Sequence, residues 1–137
     1  MCPGNRNLPA IAYRSGQPGR IPGVLNDRLP AGVEVTAIIR RVQGDGDFAS
    51  VLHRGDPDRG TISLLVTERG RALAVLERQM AADFTYRWAK VSDGSELQGA
   101  GWREFVGRKS RIDPDCWLVE LDIADAERFI AETTSAT

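Results

Sequence analysis

A turn, a strand and a short helix follow one another between residues 111 and 130, and this stretch constrains the fold most. The residue before a proline is pushed out of the helical region, so Asp113-Pro-Asp115 ends any helix before it. The apolar run 116–121 then predicts a mostly buried strand, and residues 124–132 predict a helix that returns Phe129 and Ile130 to the core. We expect this strand to be central because it is the least polar.

Further helices and strands are predicted before this stretch. Val35, Ile38, Ile39 and Val42 recur at helical spacing and predict a helix over 33–43. Another helix is predicted over 96–109. Strands are predicted at 48–53, 61–67, 72–77 and 84–91. Short connections between strands favour an antiparallel meander. The predicted fold class is α+β, with an antiparallel sheet of about five strands and two or three helices packed on one face.

The predicted domain organisation has three parts. Residues 1–28 are rich in proline and glycine, and residues 1–29 hold four arginines against one aspartate, so we expect a disordered basic leader, or a start assigned upstream of the true one. Residues 29–132 are expected to form a single domain and 133–137 a disordered tail. From residue 30 onward the chain holds 14 basic and 18 acidic residues, a balance that argues against nucleic-acid binding.

Composition also bears on location. No run of 18 apolar residues occurs, and no short apolar segment of the kind found in signal peptides stands near the N-terminus. Two cysteines are too few for a disulfide framework. We therefore expect a cytoplasmic protein with no membrane association.

Four motifs resemble a small bacterial family known only as a domain of unknown function. They are Ala37-Ile-Ile-Arg-Arg41, the strand at Phe48 with the Arg54-Gly-Asp-Pro-Asp-Arg-Gly60 turn, Tyr86-Arg-Trp88, and Asp113-Pro-Asp-Cys-Trp-Leu-Val-Glu120 with its trailing helix. The resemblance covers residues 29–132. It supports the fold and implies no particular reaction.

Asp-x-Asp pairs are the main candidates for metal chemistry. Two carboxylates in one turn can face a hard cation such as Mg²⁺ or Ca²⁺, which makes Asp56, Asp58, Asp113 and Asp115 candidate ligands. The alternative is that each Asp closes its own turn through its backbone. Apart from this divalent cation, no cofactor is predicted.

Other candidates are a single histidine, a thiol and an aromatic–arginine surface. His53 is a candidate base or anion ligand, and Cys116 is the thiol that it would activate. The alternative places His53 at the strand surface and Cys116 in the core. A binding surface is suggested by aromatic and basic residues, because such side chains anchor protein partners; its members are Arg40, Arg41, Arg54, Tyr86, Arg87, Trp88 and Trp117.

No nucleophile motif or phosphate-binding loop is present. We therefore expect a non-catalytic protein-interaction or regulatory module, with a protein partner or a second copy as its target. The alternatives are a hard-cation-dependent hydrolase or ligand-binding domain that uses the Asp-x-Asp turns and, as a weaker hypothesis, nucleic-acid binding through Arg40, Arg41 and the basic arm.

Overall fold

The computed structural model describes residues 29–135, so the predicted leader over 1–28 and the end of the predicted tail lie outside the described residues. Within that range the chain forms three helices and five strands. In chain order they are α1 (Ala31–Gly44), β1 (Phe48–His53), β2 (Ile62–Glu68), β3 (Arg71–Met80), β4 (Tyr86–Ser92), α2 (Gly101–Ile112), β5 (Trp117–Asp122) and α3 (Ala126–Thr133). A 3₁₀ turn, Ser95–Leu97, precedes α2. None of the helices in this part of the chain is long and apolar enough to cross a bilayer.

The five strands form one sheet in the order β1-β5-β2-β3-β4. The α+β class is confirmed, but the prediction of a purely antiparallel sheet is wrong. β5 inserts between β1 and β2 and runs parallel to β2, with Ile62 beside Trp117 and Leu64 beside Val119. A parallel pair needs a crossover connection, and the chain between β2 and β5 supplies one through β3, β4 and α2. The meander is therefore confined to β2, β3 and β4.

The helices cover both faces of the sheet, so the prediction that they share one face is wrong. α1 and α3 pack on the face that carries Leu64 and Val119, in the larger core cluster. α2 places Trp102 and Phe105 on the opposite face, against Leu65 and neighbouring residues. Successive strand residues point to opposite faces, and β2 is buried at six of its seven positions because both of its faces are covered. β2, rather than β5, is the middle strand.

Two turns fix the ends of β3. Arg69 and Gly70 both have positive φ, which a type I′ hairpin turn requires, and the Asp122 carboxylate accepts hydrogen bonds from both of their N–H groups at 2.9 and 3.2 Å. At the other end Phe84 lies in a turn with φ 66°, outside β4, so the strand predicted from residue 84 begins only at Tyr86.

Candidate functional site

The two Asp-Pro-Asp turns lie side by side at one end of the sheet. We call residues 54–60 and 113–116 the loop junction. The N–H of Asp56 donates to the carbonyl of Asp115 at 3.0 Å, and the N–H of Trp117 donates to the carbonyl of Thr61 at 2.7 Å. The loop after β1 and the turn before β5 are thus joined because their two strands are neighbours.

Two glycines make this close approach possible. A Cβ on Gly55 or on Gly60 would lie 2.2 Å from the carbonyl oxygen of Asp115. No side chain fits at that distance, so the backbones meet only because both positions are glycine. The loop junction is therefore a tightly packed joint.

The carboxylates of the junction largely close their own turns. Asp56 Oδ2 accepts hydrogen bonds from the N–H groups of Asp58 and Arg59 at 3.1 and 2.6 Å. Asp113 accepts one from the N–H of Asp115 at 3.2 Å and one from the Thr61 hydroxyl at 3.3 Å. These are the turn-stabilising roles that aspartate takes in loops. Among residues 29–135, no group of three or more His, Cys, Asp or Glu side chains is placed to hold a metal ion.

Trp117 and Arg54 are brought together at the junction. Trp117 is 3% exposed, and its indole Nε1 donates to the Asp56 carbonyl at 2.8 Å. The Arg54 guanidinium lies 5.5 Å from the ring centroid, a cation–π distance. Trp117 thus serves the core, while Arg54 is exposed above it.

The thiol and the histidine do not form a nucleophile–base pair here. Cys116 is fully buried, and burial together with the nearby Asp113 carboxylate raises the pKa of its thiol. His53 Nδ1 lies 2.8 Å from the backbone carbonyl oxygen of Cys116, so the imidazole contacts the main chain of this residue. The arrangement favours a protonated, unreactive thiol.

Trp88 belongs to a different part of the molecule. It is half-buried on β4, and the Arg78 guanidinium lies 4.8 Å from its ring centroid. Arg78 also forms an ion pair with the buried carboxylate of Glu34 on α1. β2 and β3 separate the strands of Trp88 and Trp117, so the two indoles do not form one surface. Sequence reasoning missed Glu34, although it lies four residues before Ile38 on the apolar stripe of α1.

Exposed arginines occur on two helices. Arg40 and Arg41 lie exposed near the end of α1, as their positions on the polar side of the stripe suggest. α2 carries a second set, which sequence reasoning missed. This set lines a shallow surface depression with Glu104 and Gly107 and consists of Arg103, Arg108 and Arg111.

The outer edge of β1 is open and carries exposed apolar side chains. We call the segment Phe48–Leu52 the β1 edge. Within residues 29–135, β1 pairs with β5 on one side only. Phe48 is 74% exposed and Val51 is 41% exposed. Sequence reasoning identified the strand but did not assign it to an edge of the sheet.

Comparisons with known proteins agree with this fold. A family model described as "Protein of unknown function (DUF1491)" matches residues 29–131. The chain is similar to the crystal structure of a DUF1491 family protein from Caulobacter crescentus, at 30% identity and a TM-score of 0.63, over 74% of this chain and 94% of that one. It is also similar to an NMR structure of a DUF1491 family protein from the same organism, at 27% identity and a TM-score of 0.60, over 72% of this chain and 88% of that one. A third similar structure is the solution structure of a protein from A. tumefaciens, at 28% identity and a TM-score of 0.57, over 70% of this chain and 86% of that one. No curated protein matches.

Proposed function

The chain belongs to the DUF1491 family of proteins of unknown function, and we propose that it acts as a non-catalytic protein-interaction module that docks its partner at the β1 edge. The observation that carries this proposal is that the β1 edge is open and uncharged and contains the exposed Phe48 and Val51.

The contrast between the two edges of the sheet supports the proposal. The opposite edge, β4, presents exposed Arg87 and Lys90. Charged side chains on an edge strand are a common device that prevents pairing with another chain. Residues 48–52 contain no charge and no proline. One edge therefore carries charges that oppose pairing, and the other does not.

Docking would proceed by addition of a strand. An extended segment of a partner aligns along β1 and hydrogen-bonds to its open backbone, which supplies affinity, while side chains on either face supply selectivity. Phe48 lies on the face that carries Glu120 and α2, and Val51 lies on the face that carries Val119. Both exposed apolar groups thus become available to the same added strand.

The loop junction supports a non-catalytic role. The carboxylates of Asp56 and Asp113 accept hydrogen bonds from their own turns, and the Cys116 thiol is buried. A catalytic carboxylate or thiolate needs access to a substrate, whereas these groups hold the loops together.

Site-specific photocrosslinking in cells tests the proposal on the full chain. In one variant a benzophenone amino acid replaces the exposed Ser50 on the β1 edge. In the control variant the benzophenone amino acid replaces the exposed Lys90 on β4. We expect protein adducts from position 50 that a second substitution, Val51→Lys, suppresses. The proposal is overturned if position 50 gives no adduct, or if its adducts match those of position 90 and resist Val51→Lys.

A further inference from the structure

We propose that the strand docked at the β1 edge is β1 of a second copy of this chain, paired antiparallel about a two-fold axis at Ser50. This inference rests on the proposed function and specifies its partner. Two properties of β1 favour a second copy: the register in which its sequence can pair with itself, and its charge pattern.

Symmetry restricts the possible registers. A two-fold axis normal to the sheet places corresponding faces of the two copies on the same side of the joined sheet. Side chains alternate between the two faces along a strand. Each residue can therefore lie opposite only a residue an even number of positions away. Self-pairing is limited to registers that centre on a single residue, such as Ala49, Ser50 or Val51.

The register centred on Ser50 matches the most apolar groups with one another. It places Phe48 opposite Leu52 of the second copy and Ala49 opposite Val51. Centring on Ala49 would place Phe48 opposite Ser50, and centring on Val51 would place it opposite Arg54. Cross-strand apolar pairs are the unit of sheet stabilisation, so the Ser50 register is favoured.

The two ends of β1 carry opposite charge. Asp45 is exposed before the strand, and Arg54 is exposed after it. Antiparallel pairing brings the acidic end of one copy next to the basic end of the other, at both ends of the interface. Parallel pairing would place like charges together, which destabilises a strand pair. The charge pattern therefore selects the antiparallel dimer.

The expected affinity is modest. A single edge strand buries less than the roughly 1,200–2,000 Å² of a standard interface, so we expect a monomer–dimer equilibrium that depends on concentration. The charged ends are exposed, and their contribution should be greatest at low ionic strength.

Charge reversal tests the arrangement by sedimentation velocity of the full chain at low salt. Asp45→Arg alone places a second cation beside Arg54 of the other copy, and Arg54→Asp alone places a second carboxylate beside Asp45 of the other copy. We expect each variant to self-associate roughly tenfold more weakly than the wild type, since two attractive pairs become repulsive. Mixing the two variants should restore association, because a mixed dimer again pairs one cation with one carboxylate at each end, whereas each variant alone pairs like charges at both ends.

The double variant, Asp45→Arg with Arg54→Asp in one chain, makes the same test within a single protein. It exchanges the two charges, so each end of the antiparallel dimer again holds one cation and one carboxylate. We expect its self-association to return close to that of the wild type, a rescue that a merely structural effect of either substitution would not produce.

Matched controls change the same charges away from the β1 edge. Asp58→Arg and Arg59→Asp, both on the adjacent exposed loop, should leave self-association unchanged. Circular dichroism of each variant verifies folding before association is measured.

The outcomes separate this inference from the proposed function. A wild type that remains monomeric at high concentration, or a charge-exchanged double variant that associates no better than the single variants, overturns the second copy as the occupant. If the position 50 crosslinker then still captures a different protein in a Val51-dependent manner, the interaction module stands without self-pairing. If it captures nothing, both fail.

Discussion

The indole Nε1 of Trp117 donates a hydrogen bond to the backbone carbonyl of Asp56, at 2.8 Å and across 61 residues of sequence. This bond connects the strand that organises the C-terminal half of the fold to the loop that follows β1. The same loop accepts hydrogen bonds from α1, because the carbonyls of Pro57 and Asp58 accept the N–H groups of Gly32 and Ala31. The loop junction thus joins three elements that are distant in sequence.

Trp117→Phe should destabilise the domain. The substitution removes the indole donor and part of a buried ring, and we expect a loss of about 1–3 kcal/mol in the free energy of unfolding. Chemical denaturation measures this loss. Trp102→Phe, at a half-buried tryptophan on α2, serves as the matched control and should cost less. An equal loss for both variants would contradict a special role for the Trp117–Asp56 bond.

Gly60→Ala should disturb the loop junction through steric overlap alone. The added Cβ would lie 2.2 Å from the carbonyl oxygen of Asp115, so the backbones must separate. We expect destabilisation of about 1–3 kcal/mol, the usual range for overpacking. Gly44→Ala at the end of α1 is the control, since its Cβ would meet nothing within 4 Å. Thermal unfolding compares the two variants, and a Gly60→Ala protein as stable as Gly44→Ala would refute the close approach.

The Glu34–Arg78 ion pair should show strong coupling. Arg78→Met leaves the Glu34 carboxylate buried without its cation, and breaking such a pair from one side costs about 3–5 kcal/mol. The double variant Glu34→Met with Arg78→Met removes both charges and should recover most of that loss. A double-mutant cycle by urea denaturation measures the coupling. Additive effects of the two substitutions would show that the pair contributes little.

Cys116 should react slowly with thiol reagents in the folded protein. Burial raises the pKa of its thiol, so at neutral pH the group stays protonated, and the reactive thiolate forms only at higher pH. Mass spectrometry after iodoacetamide treatment locates the modified cysteine. We expect Cys116 to be labelled in denaturant and protected in buffer. Rapid labelling of Cys116 in the folded protein would show that this thiol is accessible and reactive, and would contradict the prediction.

Divalent cations test the alternative function that the sequence suggested. Asp56 already accepts two backbone N–H groups, so we expect Mg²⁺, Ca²⁺ and Mn²⁺ to leave the midpoint of thermal unfolding unchanged. Asp56→Asn combined with Asp58→Asn is the companion variant, in which the carboxylate ligands are lost while the side-chain oxygens that accept hydrogen bonds remain. A midpoint that rises with a cation in the wild type, and not in this variant, would establish the metal site instead.

The sequence predicted the individual elements well because their signals are local. The stripe of Val35 and Val42 placed α1, and the family resemblance is confirmed by the match over residues 29–131. The helix predicted over 96–109 instead runs from Gly101 to Ile112, where the Asp-Pro-Asp turn ends it. The start of β4 was missed because Phe84 adopts φ 66°, a conformation that the alternating pattern through Tyr86 and Trp88 does not reveal.

The sequence by itself determined which segments are helices and strands, since apolar periodicity and turn residues act over a few positions. The tertiary structure alone decided that β5 inserts between β1 and β2, that α2 covers the second face, and that the loops at Asp56 and Asp115 meet. These features depend on contacts between apolar surfaces of segments that are far apart in the sequence. That choice is made by the packing of the whole core, and it leaves the β1 edge open.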